Sequence, residues 1–177
     1  MPAMKRHNRG VTLMELMVTI GVLGVLLGLA VPTFREFSRN NSLTAIQNDL
    51  VTSFNLARSE ALRRNRPVSV CASADGTTCG EDTDWNLGWI AFVDRGAAGE
   101  INDDVGDEIL NTWQSANSDL TFASDGNTYA QYLPTGMSAA AMTIDVFRTG
   151  CTGVKKRRVT VTATGAITGR TVDCSEE

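Results

Sequence analysis

Between Val11 and Val31 only one residue, Glu15, is charged. A run of about 20 apolar residues is long enough to cross the hydrocarbon core of a bilayer. Lys5, Arg6 and Arg9 precede it. The excess of positive charge holds the short leader in the cytoplasm and sends the carboxyl-terminal part across. The expectation is a single-pass inner-membrane protein with a periplasmic head. An ordinary secretory signal has an apolar core of about 7–15 residues and ends in a small-residue cleavage site; this run is longer and no such site follows. A plain anchor is the other alternative, because a charge costs about 2.5–3.5 kcal/mol at mid-bilayer and less near an end. Glu15 lies near the end, so this run alone leaves the plain anchor open.

Gly21, Gly24 and Gly28 interrupt the run and Pro32 closes it. Each interior glycine costs a helix about 1 kcal/mol relative to alanine and a proline about 3, which predicts a kink or local melting. Gly24 and Gly28 also have the spacing of membrane helices that pack closely. Past Pro32, Leu43, Ile46, Leu50, Phe54, Ala57 and Ala61 recur at helical spacing and mark one buried face. Arg35, Arg39, Asp49, Arg58 and Arg63 occupy other positions, consistent with a solvated, basic outer face. The element ends at "RRNRP", since the residue before Pro67 is pushed out of α geometry. Unbroken from Val11 to Arg64, such a helix would be roughly 80 Å long.

After Pro67 the pattern changes to short β-type runs, "VSVCA", "GWIAFVD", "EILNTW", "LTFAS", "MTIDVF" and "RRVTVTAT", punctuated by Gly, Asp, Asn and Ser. The predicted fold class is α+β, a long amino-terminal helix on an antiparallel β-sheet head. The 177 residues divide into a leader (1–10), a membrane or filament-core helix (11–32), an amphipathic helix (33–66) and a β-rich head (67–177).

Net charge is −4, but residues 67–125 carry twelve acidic residues against Arg95 alone, while 35–66 and 126–177 are net basic. One domain with an acidic flank and a basic end selects partners by surface charge. The four cysteines, Cys71, Cys79, Cys151 and Cys174, contain no C-x-x-C pair, which favours disulfides over zinc or a redox dithiol in an oxidising compartment. Four cysteines allow three connectivities. The only histidine, His7, lies in the leader, so a mature chain without it excludes Ser-His-Asp and Cys-His catalysis.

The basic leader ending in Arg9-Gly10, followed by "VTLMELMVTIGVL" with glutamate five residues past that glycine, resembles the prepilin signal of type IV pilins and type II secretion pseudopilins. The resemblance implies cleavage after Gly10 by a prepilin peptidase and N-methylation of Val11, where most members carry phenylalanine. It also gives Glu15 a role in filament assembly. Cleavage creates an α-ammonium, ordinarily titrating near 7.7–8.0 and kept charged by methylation, which a neighbouring subunit's Glu15 can neutralise in an apolar bundle. "LARSEALRRNRPVSVCASADGTTCGEDTDWNLGWIAFVD" is similar to the FimT/FimU and GspH group of minor pilins. Within that resemblance the favoured pairing is local, Cys71 with Cys79 and Cys151 with Cys174, each staple worth about 2–4 kcal/mol.

Three segments invite other chemistries. The acidic stretch Asp94 to Glu108 suggests calcium, but its spacing lacks the D-x-[DN]-x-[DN]-G loop, which favours a solvated acidic loop. A glycosidase pair would need a fixed carboxylate separation that nothing here sets. "VKKRRV", with Lys155, Lys156, Arg157 and Arg158, and the following Arg170 form a candidate DNA contact through phosphate charge. Some FimT-like members capture DNA through a G-R-x-R element. Here Gly169 and Arg170 match it, and Val172 stands in place of the second arginine. In a strand, Lys156 and Arg158 share one face and Lys155 and Arg157 the other, and a solvated edge strand guarded by cations is the favoured reading of the cluster.

The sequence therefore points to a non-enzymatic minor pilin with no cofactor and no metal, whose partners are other pilins or pseudopilins, the prepilin peptidase and the inner membrane. The alternatives are a GspH-like pseudopilin of the type II secretion system and a DNA-binding minor pilin in natural transformation.

Overall fold

A computed structural model describes residues 11–80, 85–114, 120–153 and 155–175, without the side chains of 29–33, 35, 36, 39 and 103. The leader, including Gly10, lies outside the described residues, as does Val154. The chain divides into two compact units, Met1–Asn40 and Asn41–Glu177.

Helix α1 runs Leu13–Arg64. Thr12 caps it, its hydroxyl oxygen accepting the Glu15 N–H at 3.2 Å; a threonine three residues before a glutamate is a capping-box pair. At the far end Arg63 and Arg64 suit the negative pole of the helix dipole. Asn65 turns left-handed (φ 51°) and the Arg66 N–H reaches back to the Ala61 carbonyl at 3.3 Å, a Schellman stop just before Pro67. Helical backbone continues through Gly21, Gly24, Gly28 and Pro32, so the predicted local melting does not occur. A proline removes one ladder bond while the bonds on either side persist.

In the first unit every large apolar side chain from Leu13 to Leu27 is more than half exposed. Among the described residues no helix is long and apolar enough to cross a membrane; the expected span, 11–32, includes positions whose side chains are not described.

The second unit is α+β. Eight strands follow: β1 Val68–Ala72, β2 Gly88–Val93, β3 Glu108–Gln114, β4 Leu120–Ser124, β5 Tyr129–Tyr132, β6 Met142–Arg148, β7 Lys156–Val161 and β8 Ile167–Val172. They form two four-stranded antiparallel sheets, ordered β3-β2-β1-β5 and β4-β6-β7-β8. The short runs "YAQY" and "ITGRTV", not anticipated as strands, complete one edge of each sheet.

The helical spacing read from the sequence is the buried face: Leu43, Ile46, Leu50, Phe54, Ala57 and Ala61 all enter one core with residues from both sheets, among them Val70, Trp89, Tyr132, Ile144 and Val159. Every residue of β1 and β2 is buried, because their opposite face has a second, smaller core of Cys71, Ile90 and Phe92 with Cys79, Ile101 and Tyr129. Gly88 opens β2 at φ 134°, where a Cβ would run into the Trp113 carbonyl oxygen; this accounts for the glycine of the "GW" pair.

Candidate functional site

At the amino terminus, Val11 and Thr12 precede the helix and Glu15 lies in its first turn, exposed. A carboxylate here complements the positive pole of the helix dipole. An added Cβ at Gly21, Gly24 or Gly28 would meet nothing within 4 Å. The close packing for which these glycines leave room is therefore not used among the described residues.

The cysteines pair locally. Cys71 joins Cys79 and Cys151 joins Cys174, with Cα separations of 5.6 and 5.7 Å. Inside the first loop Asp75 shapes the turn by accepting the Thr77 and Thr78 N–H groups, each at 2.8 Å, and the Thr78 hydroxyl at 2.9 Å. These donors hold its carboxyl well below the usual range.

The acidic stretch serves the fold. Asp94 is buried rather than solvated: its Oδ2 accepts the Ser69 hydroxyl at 2.5 Å, the Gly99 N–H at 2.9 Å and the Gln131 side-chain amide at 2.9 Å. Asp107 accepts the Arg95 and Asn102 N–H groups at 2.7 and 3.0 Å. These bonds close the loop that brings Ile101 to the second core. Among the described residues no group of three His, Cys, Asp or Glu side chains is placed to hold a metal ion.

The basic cluster divides by strand alternation. Lys156 and Arg158 lie on the face away from the helix and converge on one carboxylate. Asp145, opposite Arg158 in register, accepts Arg158 Nε at 2.7 Å and Nη2 at 2.8 Å, and Lys156 Nζ stands 3.1 Å away. All three side chains are 12% exposed or less. Burial pushes the Asp145 carboxyl up, but the bonds from Arg158 and Lys156 outweigh it and hold the carboxyl below its ordinary value. Lys155 is exposed and Arg157 half-buried.

Arg170 pairs with Arg158 across β7 and β8 and is exposed. Gly169, the glycine of the G-R element, faces the helix: a Cβ there would sit 2.9 Å from Gln47 Nε2, and that amide donates to the Arg170 carbonyl at 3.3 Å. The five candidate cations therefore do not form one face. Asp145 went unrecognised in the sequence as their partner; the available signal was a single acidic residue in the middle of the β-type run "MTIDVF".

A helix whose apolar face enters a core shared with two antiparallel sheets, carried on an exposed apolar helical extension with one carboxylate in its first turn, is the architecture of a type IV pilin-like subunit. Residues 47–165 match the family described as type II transport protein GspH, and residues 5–31 match the prokaryotic N-terminal methylation motif. A pilin-like protein, PilA1 of Thermus thermophilus, is 32% identical over 164 residues, covering 89% of this chain and 96% of that protein. Among solved structures, the type IV minor pilin FimU of Pseudomonas aeruginosa superposes with a TM-score of 0.59 at 20% identity, over 76% of this chain and 92% of that one. The minor pseudopilin EpsH of the Vibrio cholerae type 2 secretion system gives 0.50 at 14% identity, over 76% and 99%. The chain belongs to the GspH family of minor pilins and pseudopilins. The two structural likenesses concern the fold alone.

Proposed function

We propose that this chain is a minor pilin, a structural subunit without catalysis, cut after Gly10 by a prepilin peptidase and N-methylated at Val11. Its amino-terminal helix anchors it in the inner membrane with the head in the periplasm, and then enters the core of a type IV pilus at its tip or initiation complex. The observation that carries this reading is the helical unit itself. Its large apolar side chains are exposed from Leu13 to Leu27, its glycines meet no neighbour, and it lies within the match to the methylation motif. Such a surface is stable only in lipid or among other apolar helices.

Glu15 is the register device of this proposal. In a partly shielded bundle, opposite charges about 4 Å apart attract by about 4 kcal/mol at an effective dielectric near 20, so a misplaced subunit leaves Glu15 and the Val11 ammonium of its neighbour both unpaired. The test is the mass of the mature amino terminus together with Glu15→Ala. The expected result is a chain beginning at N-methylated Val11 and an alanine variant that inserts in the membrane but stays out of filaments. A chain beginning at Met1, or normal incorporation of the variant, refutes the reading.

The alternative is a pseudopilin of the type II secretion system, and deletion separates the two by loss of pili or loss of secreted enzymes. The DNA-binding alternative is disfavoured, because Asp145 engages two of the five candidate cations and Gly169 has a packing role.

A further inference from the structure

On the face of the first sheet away from the helix, three separate segments meet around a recess of about 400 Å³, a volume within the range of about 300–1,000 Å³ that small-ligand sites occupy. Its walls are the end of the first disulfide loop at Cys79, the turn 98–101, and Thr128 and Tyr129 where β5 begins. The floor is set by the fold itself. Tyr129 lies opposite Cys71 in the β1–β5 register, Cys71 is bonded to Cys79, and Cys79, Ile101 and Tyr129 all pack on the second core. Gly99 lies flat against the Tyr129 ring, since a Cβ there would run into it, and its N–H is held by Asp94 Oδ2 at 2.9 Å. A site whose groups are already in place loses little order when a ligand enters.

The chemistry of the lining has one sign. Glu100 lines the recess, and no Lys, Arg or His does. The exposed Glu100 carboxylate makes no hydrogen bond or ion pair among the described residues, and the Thr128 and Tyr129 hydroxyls make no hydrogen bond among them either. Behind Gly99 sits a second carboxylate, Asp94, whose Oδ1 accepts no hydrogen bond among the described residues although Asp94 is only 2% exposed. Arg95, the only basic residue between positions 67 and 125, lies against Gly106 instead. A recess lined by one sign of charge over low-dielectric walls concentrates ions of the opposite sign, so the ligand is a cation. A bare metal ion does not suit it: calcium takes about six to eight oxygen ligands, and among the described residues no three metal-ligating side chains converge. The Tyr129 ring, Cys79 and Ile101 instead offer apolar contact to a short aliphatic stem, and an aromatic ring also attracts an organic cation.

We infer that this recess binds a primary alkylammonium group, with the methylene stem on Tyr129 and Ile101 and the ammonium toward Glu100 and the Thr128 hydroxyl. A lysine side chain and a free aliphatic amine share that chemistry. The site goes beyond the filament reading and is independent of leader cleavage or membrane insertion. Its test uses the soluble unit Asn41–Glu177, which closes both cores and both disulfides within itself, so its outcome is distinct from that of the Glu15 experiment.

Titrating this unit, isotope-labelled and at low salt, with cadaverine and separately with Nα-acetyl-lysine amide should move the backbone amide signals of Gly99, Glu100, Ile101 and Tyr129 saturably, with a dissociation constant on the order of 1 mM that weakens as salt is added. Pentanol, which has the stem without the charge, should bind about fivefold more weakly or worse. Glu100→Gln should weaken the amines by about threefold to fivefold, and Ala98→Phe, which fills the mouth of the recess, should abolish binding. Both side chains are exposed, so both variants should melt close to the parent. Binding of the lysine amide at least as tight as that of cadaverine assigns the site to a lysine of another protein, and tighter binding of cadaverine assigns it to a free amine; either result supports the inference. No saturable shift with either amine overturns it, as do pentanol binding as tightly as the amines, shifts spread over the acidic flank without a focus at the recess, and variants that bind like the parent.

Discussion

Asp145→Asn is the most informative single change in the head. The carboxylate meets Arg158 at 2.7 and 2.8 Å and Lys156 at 3.1 Å, in a site where none of the three side chains exceeds 12% exposure. Each pair, at about 3 Å and an effective dielectric near 20, attracts by about 5 kcal/mol before desolvation, and desolvation returns several kcal/mol per ion. The net worth of the triad is therefore modest, but removing Asp145 takes from two buried cations the carboxylate they share, although Lys156 also lies within the field of Asp173. That loss costs about 3–5 kcal/mol, toward the lower end for asparagine, which keeps one oxygen acceptor. Acid should reproduce the loss. The folded carboxyl lies below its unfolded value of about 3.9, so its contribution is complete above pH 4 or so and disappears as pH falls through the folded value. Urea unfolding of the soluble head across pH reads both effects. The parent should lose stability on the acid side, and Asp145→Asn should begin lower and show a flatter acid limb. A variant within about 1 kcal/mol of the parent, or with an unchanged acid limb, would refute the reasoning.

Phe54→Ala should cost about 3–5 kcal/mol in the same assay, since Phe54 is 1% exposed in a core it shares with both sheets. The two disulfides should differ: with sequence separations of 8 and 23, chain-entropy arithmetic assigns about 2.6 kcal/mol to Cys71–Cys79 and about 3.5 to Cys151–Cys174. Paired serine variants, melted separately, should rank in that order. Tyr132→Phe should leave stability unchanged or raise it by about 1 kcal/mol, because the buried hydroxyl finds no hydrogen-bond partner among the described residues. Burial also pushes that phenol above its ordinary value, against the pull of Arg58, and a spectroscopic titration of the parent should show no phenolate from Tyr132 below the pH at which the head unfolds.

The buried helical face was legible because Leu43 to Ala61 repeat at the period of an α-helix, and six strands were legible from alternating or continuous β-branched and aromatic runs. β5 and β8 were not. "YAQY" is only four residues long, and "ITGRTV" places a glycine and an arginine mid-strand because the glycine lies under Gln47 and the arginine faces water. Pro32 and the three glycines misled in the other direction, since propensity is a weak prior when ladder bonds hold on both sides. Spacing divided the cations of "VKKRRV" between two faces, but their partner is thirteen residues away in sequence and becomes adjacent only through the β6–β7 register. The carboxylates of the acidic stretch read as solvated because composition does not reveal which of them bind backbone amides. Asp94 does so, and it is buried.

The side chains that close the second sheet come from far along the chain: Asn86 reaches β4 across 36 positions and Gln47 reaches β8 across 123. Until the helix and the turn at residue 86 have docked, both borders of that sheet offer open backbone to any strand nearby. A newly made head is therefore most prone to clumping early in its life, and slowing either docking step should lower its yield more than its melting point.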